Sequence, residues 1–290
     1  MLSRNFSPDG ASEVAMTPLR VVASLLMFAA LCVTCSSAQD WAKAKLEKSP
    51  RHGEWVTIKH GDRAVQAFVV YPEVKTKAPV VVVIHEIFGM TDWVRGVADQ
   101  LAANGYIAIA PDLLSGMAPG GGRSSDFPSG DAAREANSKL PPEQVMADLN
   151  ATADYAKKLP ASNGKLALAG FCWGGGMTFR FAAVRKDLAA AFVFYGPPPP
   201  DDAIKNITAP VYGFYAGNDA RIDATIPDTE RKMKAAGKKY DPVTYEGAGH
   251  GFMRAGEDPG GNEANKKAHD EGWQRWLKLL KASTWYPGTK

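Results

Sequence analysis

Gly170-Phe171-Cys172-Trp173-Gly174 constrains the fold of this chain more than any other stretch. An apolar run, 165–169, leads into it, and a small-residue stretch of helical character, 174–183, follows. Strand, sharp turn and helix in that order make a nucleophile elbow, which presents one side chain at the bend. The flanking glycines let the backbone turn tightly and keep other side chains away. Cys172 would then stand alone at a helix N-terminus, where the dipole favours an anion, here a thiolate.

The sheet that such a turn requires is also legible. Val80-Val81-Val82-Val83-Ile84 is an unbroken β-branched run, as expected of a strand buried on both faces of a parallel sheet. Strands over 55–60 and 63–71 are joined at His60-Gly61-Asp62, a hairpin signal. Further strands are expected at 106–110, stopped by Pro111-Asp112, and at 189–195, 211–216 and 243–245. Helices are expected at 91–103, capped by Thr91 or Asp92, and at 141–159, 227–236 and 263–281. In the last, Trp273, Trp276, Leu277 and Leu280 share one face and read as core. Segment 115–140 is rich in Gly, Pro and Ser and reads as a long lid or binding loop. A hairpin followed by alternating strands and helices specifies an α/β fold: a mostly parallel sheet covered by helices on both faces.

Composition narrows the function classes. The 290 residues are 45% apolar, as in an ordinary globular protein. A net charge of +3, from 34 basic and 31 acidic residues, argues against nucleic acid as a partner. Residues 21–33 are apolar, Arg20 precedes them, and Ser36-Ser37-Ala38 offers a cleavage site, the pattern of a secretory signal peptide. Met1 or Met16 can open it, and the apolar run is shorter than the ~18–20 residues of a membrane span. The expected organisation is a signal peptide over 1–38 and a single domain over 39–290, a secreted or periplasmic monomer with no membrane attachment after cleavage. Cleavage would remove Cys32 and Cys35 and leave Cys172 as the one thiol, so no internal disulfide could form.

Functional groups gather at the carboxyl ends of the strands in open α/β sheets. Cys172 follows the strand at 165–169, Asp219 the strand at 211–216, and His250 the strand at 243–245. Nucleophile, acid and base in that chain order match the α/β-hydrolase fold. Cys172 would attack, His250 would move the proton, and Asp219 would hold the imidazole in one tautomer. Asp223 is a rival acid, and Asn218-Asp219 is also a common turn pair. His52, His60 and His269 have no comparable setting and are expected to be solvated. The oxyanion of an acyl intermediate would be held by the backbone N–H groups of Trp173 and Ile87. No metal or cofactor is expected.

Together His85-Glu86-Ile87-Phe88-Gly89, Ala110-Pro111-Asp112-Leu113, the Cys172 elbow, Gly217-Asn218-Asp219 and Gly249-His250-Gly251-Phe252 resemble the dienelactone hydrolase family, the carboxymethylenebutenolidases. The resemblance spans about 54–281. It implies hydrolysis of a lactone or activated carboxylic ester through a Cys-His-Asp triad and an acyl-thioester. It also implies a role for Glu86, which interacts with the cysteine at rest and takes its proton when substrate binds. Without the resemblance, Glu86 reads as a strand-end acid paired with a base such as Arg95. Arg254 fits one of the arginines that the family uses on a substrate carboxylate; pairing with Glu257 or Asp258 is its plainer reading. A second such arginine has no motif, with Arg123 and Arg134 as possibilities. The rival functions are a general carboxylesterase or thioesterase, and a noncatalytic redox-sensing or binding homologue with an oxidisable Cys172.

Overall fold

The valine run at 80–84 lies inside strand β3 (Ala78–Ile84), every residue of which is buried. The computed structural model describes residues 40–285. β3 runs parallel to β4 (Ile107–Asp112) on one side and to β5 (Ser162–Phe171) on the other. β6 (Leu188–Phe194), β7 (Val211–Ala216) and β8 (Tyr240–Tyr245) continue the parallel sheet beyond β5. The hairpin β1 (Gly53–His60) and β2 (Arg63–Val70) joins antiparallel through β2 and β4. The eight-stranded order is β1-β2-β4-β3-β5-β6-β7-β8.

Alternation along β3 shows why both faces must be covered. Val80, Val82 and Ile84 pack with Leu149, Phe179 and Met233, from helices Pro142–Lys158, Trp173–Val184 and Ile226–Ala235. Val81 and Val83 pack with Val94, Leu101, Trp276 and Leu280, from helices Asp92–Ala103 and Glu263–Thr284. A strand with period two and apolar residues at every position can bury them only between two helical layers. Trp276 and Leu280 are fully buried, and Trp273 and Leu277 pack partly buried against the same cluster, as their helical spacing predicts.

Three expectations need correction. β4 does not stop before Pro111; it runs to Asp112, with Pro111 opposite Ala67 of β2. Its pairing with β3 ends at Ile109, so the absent N–H of Pro111 costs no bond there. Segment 115–140, expected as a long lid or binding loop, is not loop throughout. It holds 3₁₀ turns at Pro119–Gly121 and Ser124–Asp126 and a helix, Gly130–Ser138, whose N-cap Ser129 accepts from the Ala132 N–H. Short helices at Asp201–Ile204, Ala220–Asp223 and Phe252–Glu257 were also not anticipated. The expected leader, with Cys32 and Cys35, lies outside the described residues. Among those described, no helix is long and apolar enough to cross a membrane.

Candidate active site

β5 ends at Phe171, and Cys172 turns directly into the elbow helix Trp173–Val184. Cys172 has φ 57° and ψ −117°, a left-side conformation that costs a non-glycine residue energy. Its N–H donates to the Phe194 carbonyl at 3.0 Å, and its carbonyl accepts from the Gly176 N–H at 3.2 Å, which holds the bend in place. Glycine is required on the flanks. A Cβ at Gly170 would lie 2.2 Å from the Gly174 carbonyl oxygen, and one at Gly174 would lie 2.4 Å from that of His85.

The three strand-end residues meet. Nε2 of His250 is 3.1 Å from the Cys172 Sγ, and Nδ1 of His250 donates to Asp219 Oδ2 at 2.5 Å. Asp219 is buried, so its carboxylate holds the imidazole with little competition from water. That bond leaves Nε2 as the acceptor for the thiol proton. The rival Asp223, four residues further on, does not meet His250: its Oδ1 is buried without a hydrogen-bond partner among the described residues, and burial beside Asp219 raises its pKa.

The backbone N–H groups of Trp173 and Ile87 both favour the ionised Cys172 sulfur and pull its pKa down. His85 sets the second of these. It is fully buried; its Nε2 accepts from the Leu113 N–H at 3.3 Å and its Nδ1 donates to the Glu86 carbonyl at 2.7 Å. Burial pushes the His85 pKa down, so the ring stays neutral in that tautomer. It also stacks on Trp173, with ring centroids 5.6 Å apart. One imidazole thus ties the Glu86-Ile87 turn to Trp173.

The charges around the sulfur differ from the elbow reading. The Cys172 pKa is raised to about 11, first by burial and then by the Glu86 carboxylate, against the pull of both N–H groups and of Arg221. The residue is therefore held as a thiol at rest, not as the thiolate that its helix N-terminus favours. Glu86 pairs with Arg254, whose Nε donates to Glu86 Oε2 at 2.8 Å. Arg95 pairs with Asp92 instead. Arg254 does not pair with Glu257, which receives Lys45, Gln100 and His269. Arg123 stacks over Trp55 at 4.1 Å, and Arg134 pairs with Asp131. Nor are two of the other histidines solvated. His60 Nε2 meets the fully buried Asp148 at 2.6 Å, and His269 lies between Glu257 and Asp270. His52 is exposed, as expected.

Tyr195 is a residue that the sequence reading passed over. It directly follows β6 with φ 39°, is fully buried, and packs edge-on against His250 at 5.0 Å between ring centroids. Its hydroxyl has no hydrogen-bond partner among the described residues. Burial, with Glu86 and Cys172 nearby, pushes its pKa far up, so it stays a neutral phenol. A bulky residue at a strand end before Gly196 was the available signal. No group of His, Cys, Asp and Glu among the described residues is placed to hold a metal ion.

A parallel sheet of this order, with a cysteine elbow and acid and base at later strand ends, defines an α/β-hydrolase. Residues 65–284 match the dienelactone hydrolase family, and the chain belongs to it. It is 37% identical over 217 residues to a candidate carboxymethylenebutenolidase of Salmonella typhi, covering 69% of this chain and 76% of that one. A candidate carboxymethylenebutenolidase of Saccharolobus solfataricus is 30% identical over 254 residues, covering 75% of this chain and 93% of that one. The crystal structure of a candidate dienelactone hydrolase from Klebsiella pneumoniae superposes with a TM-score of 0.70 at 30% identity, covering 79% of this chain and 98% of that one. The chain is accordingly a hydrolase.

Proposed function

We propose that this hydrolase opens lactones or cleaves activated carboxylic esters through a covalent thioester on Cys172. The observation that carries the reading is the line of contacts from Cys172 Sγ to His250 Nε2, 3.1 Å, and from His250 Nδ1 to Asp219, 2.5 Å, at strand ends of one sheet. Ionisation of the thiol must accompany substrate binding, because burial and Glu86 oppose it at rest. The proton passes to His250 or, when Glu86 leaves Arg254, to Glu86. The thiolate then attacks the carbonyl carbon. The oxyanion that forms takes hydrogen bonds from the Ile87 and Trp173 N–H groups. Collapse breaks the acyl C–O bond and releases an enolate or alkoxide, which takes up a proton from His250. Water, deprotonated by His250, hydrolyses the thioester and frees Cys172.

A thiolate is itself a good leaving group, so a poor leaving group would return the thiolate rather than depart. Substrates with stabilised leaving groups, such as enol-lactones, suit this site, and peptides do not. Cys172→Ala should lower ester and lactone hydrolysis by at least ~10³-fold with the fold intact, and Cys172→Ser should retain only weak activity. Wild-type rates in Cys172→Ala would end the covalent reading. Assay of p-nitrophenyl esters beside enol-lactones separates a lactonase from a general carboxylesterase.

Export is part of the same proposal. The first described helix begins at Asp40, so cleavage after Ala38 would leave every described element intact. Mass spectrometry of the secreted or periplasmic protein should find Gln39 at its N-terminus; a full-length cytoplasmic product would contradict this.

A further inference from the structure

His250 sits in a loop whose backbone is tied on three sides. Ahead of it, the loop from β8 is joined to the loop of the acid. The Asn218 N–H donates to the Ala248 carbonyl at 2.9 Å, and Asn218 Nδ2 donates to the Gly247 carbonyl at 3.0 Å. Behind it, helix Phe252–Glu257 starts on the Gly249 carbonyl, which accepts from the Phe252 N–H at 3.1 Å. The third tie reaches outside the loop. The Gly249 N–H donates to Asn265 Oδ1 at 2.9 Å, in the first turn of helix Glu263–Thr284.

Asn265 is not spent on its own helix. Asn262 is the N-cap there, and its Oδ1 accepts from the Asn265 N–H at 2.8 Å. Asparagine is also a poorer helix former than alanine, so the Asn265 side chain brings the helix nothing by propensity. Two glycines let this helix approach the loop closely. A Cβ at Gly256 would run into the Asn265 carbonyl oxygen, and one at Gly247 would lie 3.4 Å from the Ala264 Cβ. One turn beyond Asn265, His269 Nε2 lies 3.4 Å from Glu257, the last residue of helix Phe252–Glu257. A single helix therefore holds segment 249–257 at both ends, and that segment carries His250 and Arg254.

We propose that Asn265 is a positioning residue for His250; this rests on His250 being the base that serves Cys172. Asp219 fixes the ring from one side, and Asn265 fixes the backbone that carries it, through Gly249. Together they keep Nε2 at 3.1 Å from the Cys172 Sγ. Proton transfer needs that reach, and a misplacement of ~1 Å set up far from the chemistry can cost ~10²-fold in rate. The effect belongs to turnover rather than to substrate binding.

The test compares two substitutions of similar shape in the full chain. Asn265→Leu removes the acceptor, and Asn265→Asp keeps one. With p-nitrophenyl acetate, Asn265→Leu is expected to lower kcat about tenfold and to leave KM within about twofold, and Asn265→Asp to recover most of kcat. Alkylation of Cys172 by iodoacetamide, followed by peptide mass, reads the same coupling without turnover. Asn265→Leu should slow it in the wild-type background and change it less than about twofold in a His250→Ala background. Circular dichroism checks each fold, and Asn265→Ala takes the place of Asn265→Leu if the latter does not fold. A raised KM at unchanged kcat, equal losses in the Leu and Asp variants, unchanged kcat in both, or an equal slowing of alkylation in both backgrounds would each overturn the proposal. His250→Ala on its own keeps the two readings apart: hydrolysis at the wild-type rate would show that the base is wrong, whatever Asn265 does.

Discussion

Cys172 feels opposed influences, and their balance decides its resting state. Two backbone N–H groups and Arg221 favour the thiolate; burial and Glu86 favour the thiol and prevail, at a pKa of about 11. An unfolded cysteine ionises near 9.0. The folded pKa is the higher one, so the protonated thiol contributes stability that is complete below pH ~9 and lost as the pH rises through about 11. Titration of thiolate absorbance in the free enzyme should give a midpoint above 9. In Glu86→Gln the midpoint should fall, because one of the raising charges is gone. A wild-type midpoint near 7, or a rise in Glu86→Gln, would show that this electrostatic balance is misassigned. Tyr195 invites a second substitution. Its buried hydroxyl has no partner among the described residues, so Tyr195→Phe removes an uncompensated polar group. Stability should stay equal or rise by up to ~1 kcal/mol in thermal denaturation; a loss above ~1 kcal/mol would reveal a hydrogen bond to that hydroxyl.

Among the elements, the loop after β4 depends on one buried acid. Asp112 is fully buried and accepts from the Leu114 N–H, the Ser124 N–H and the Ser124 hydroxyl. Ser124 Oγ in turn accepts from the Met90 N–H, which joins this loop to the turn that carries Ile87. Asp112→Ala leaves those donors unpaired and should destabilise the fold by about 2–4 kcal/mol in urea, with earlier proteolysis within 115–140. A loss below ~0.5 kcal/mol would show that the loop is held otherwise. Long periodic elements such as β3 and helix Glu263–Thr284 were legible, since burial period alone specifies them. Phe252–Glu257 was not, because six residues with Gly256 inside carry too little helical preference to stand out. Gly130–Ser138 was hidden by the Gly and Pro content around it, although Ser129 was a readable cap.

In the whole molecule, the sheet brings residues far apart in sequence to one edge. That Cys172, His250 and Asp219 would meet was legible because each follows a strand end, a position that topology converts into proximity. The partners of charges were not. Glu86 and Arg254 are 168 residues apart, and Arg95 was an equally good partner by charge. Tertiary packing alone makes that choice, and with it the raised thiol pKa. The central claim is that Cys172 carries the acyl group during turnover. Acid-quenching the enzyme within a few turnovers of p-nitrophenyl acetate, followed by peptide mass mapping, tests it most directly. An acetyl mass on the peptide that contains Cys172, absent from Cys172→Ala, is the expected result. An unmodified Cys172 peptide throughout steady-state turnover, when hydrolysis of the thioester has been slowed by low pH, would contradict it.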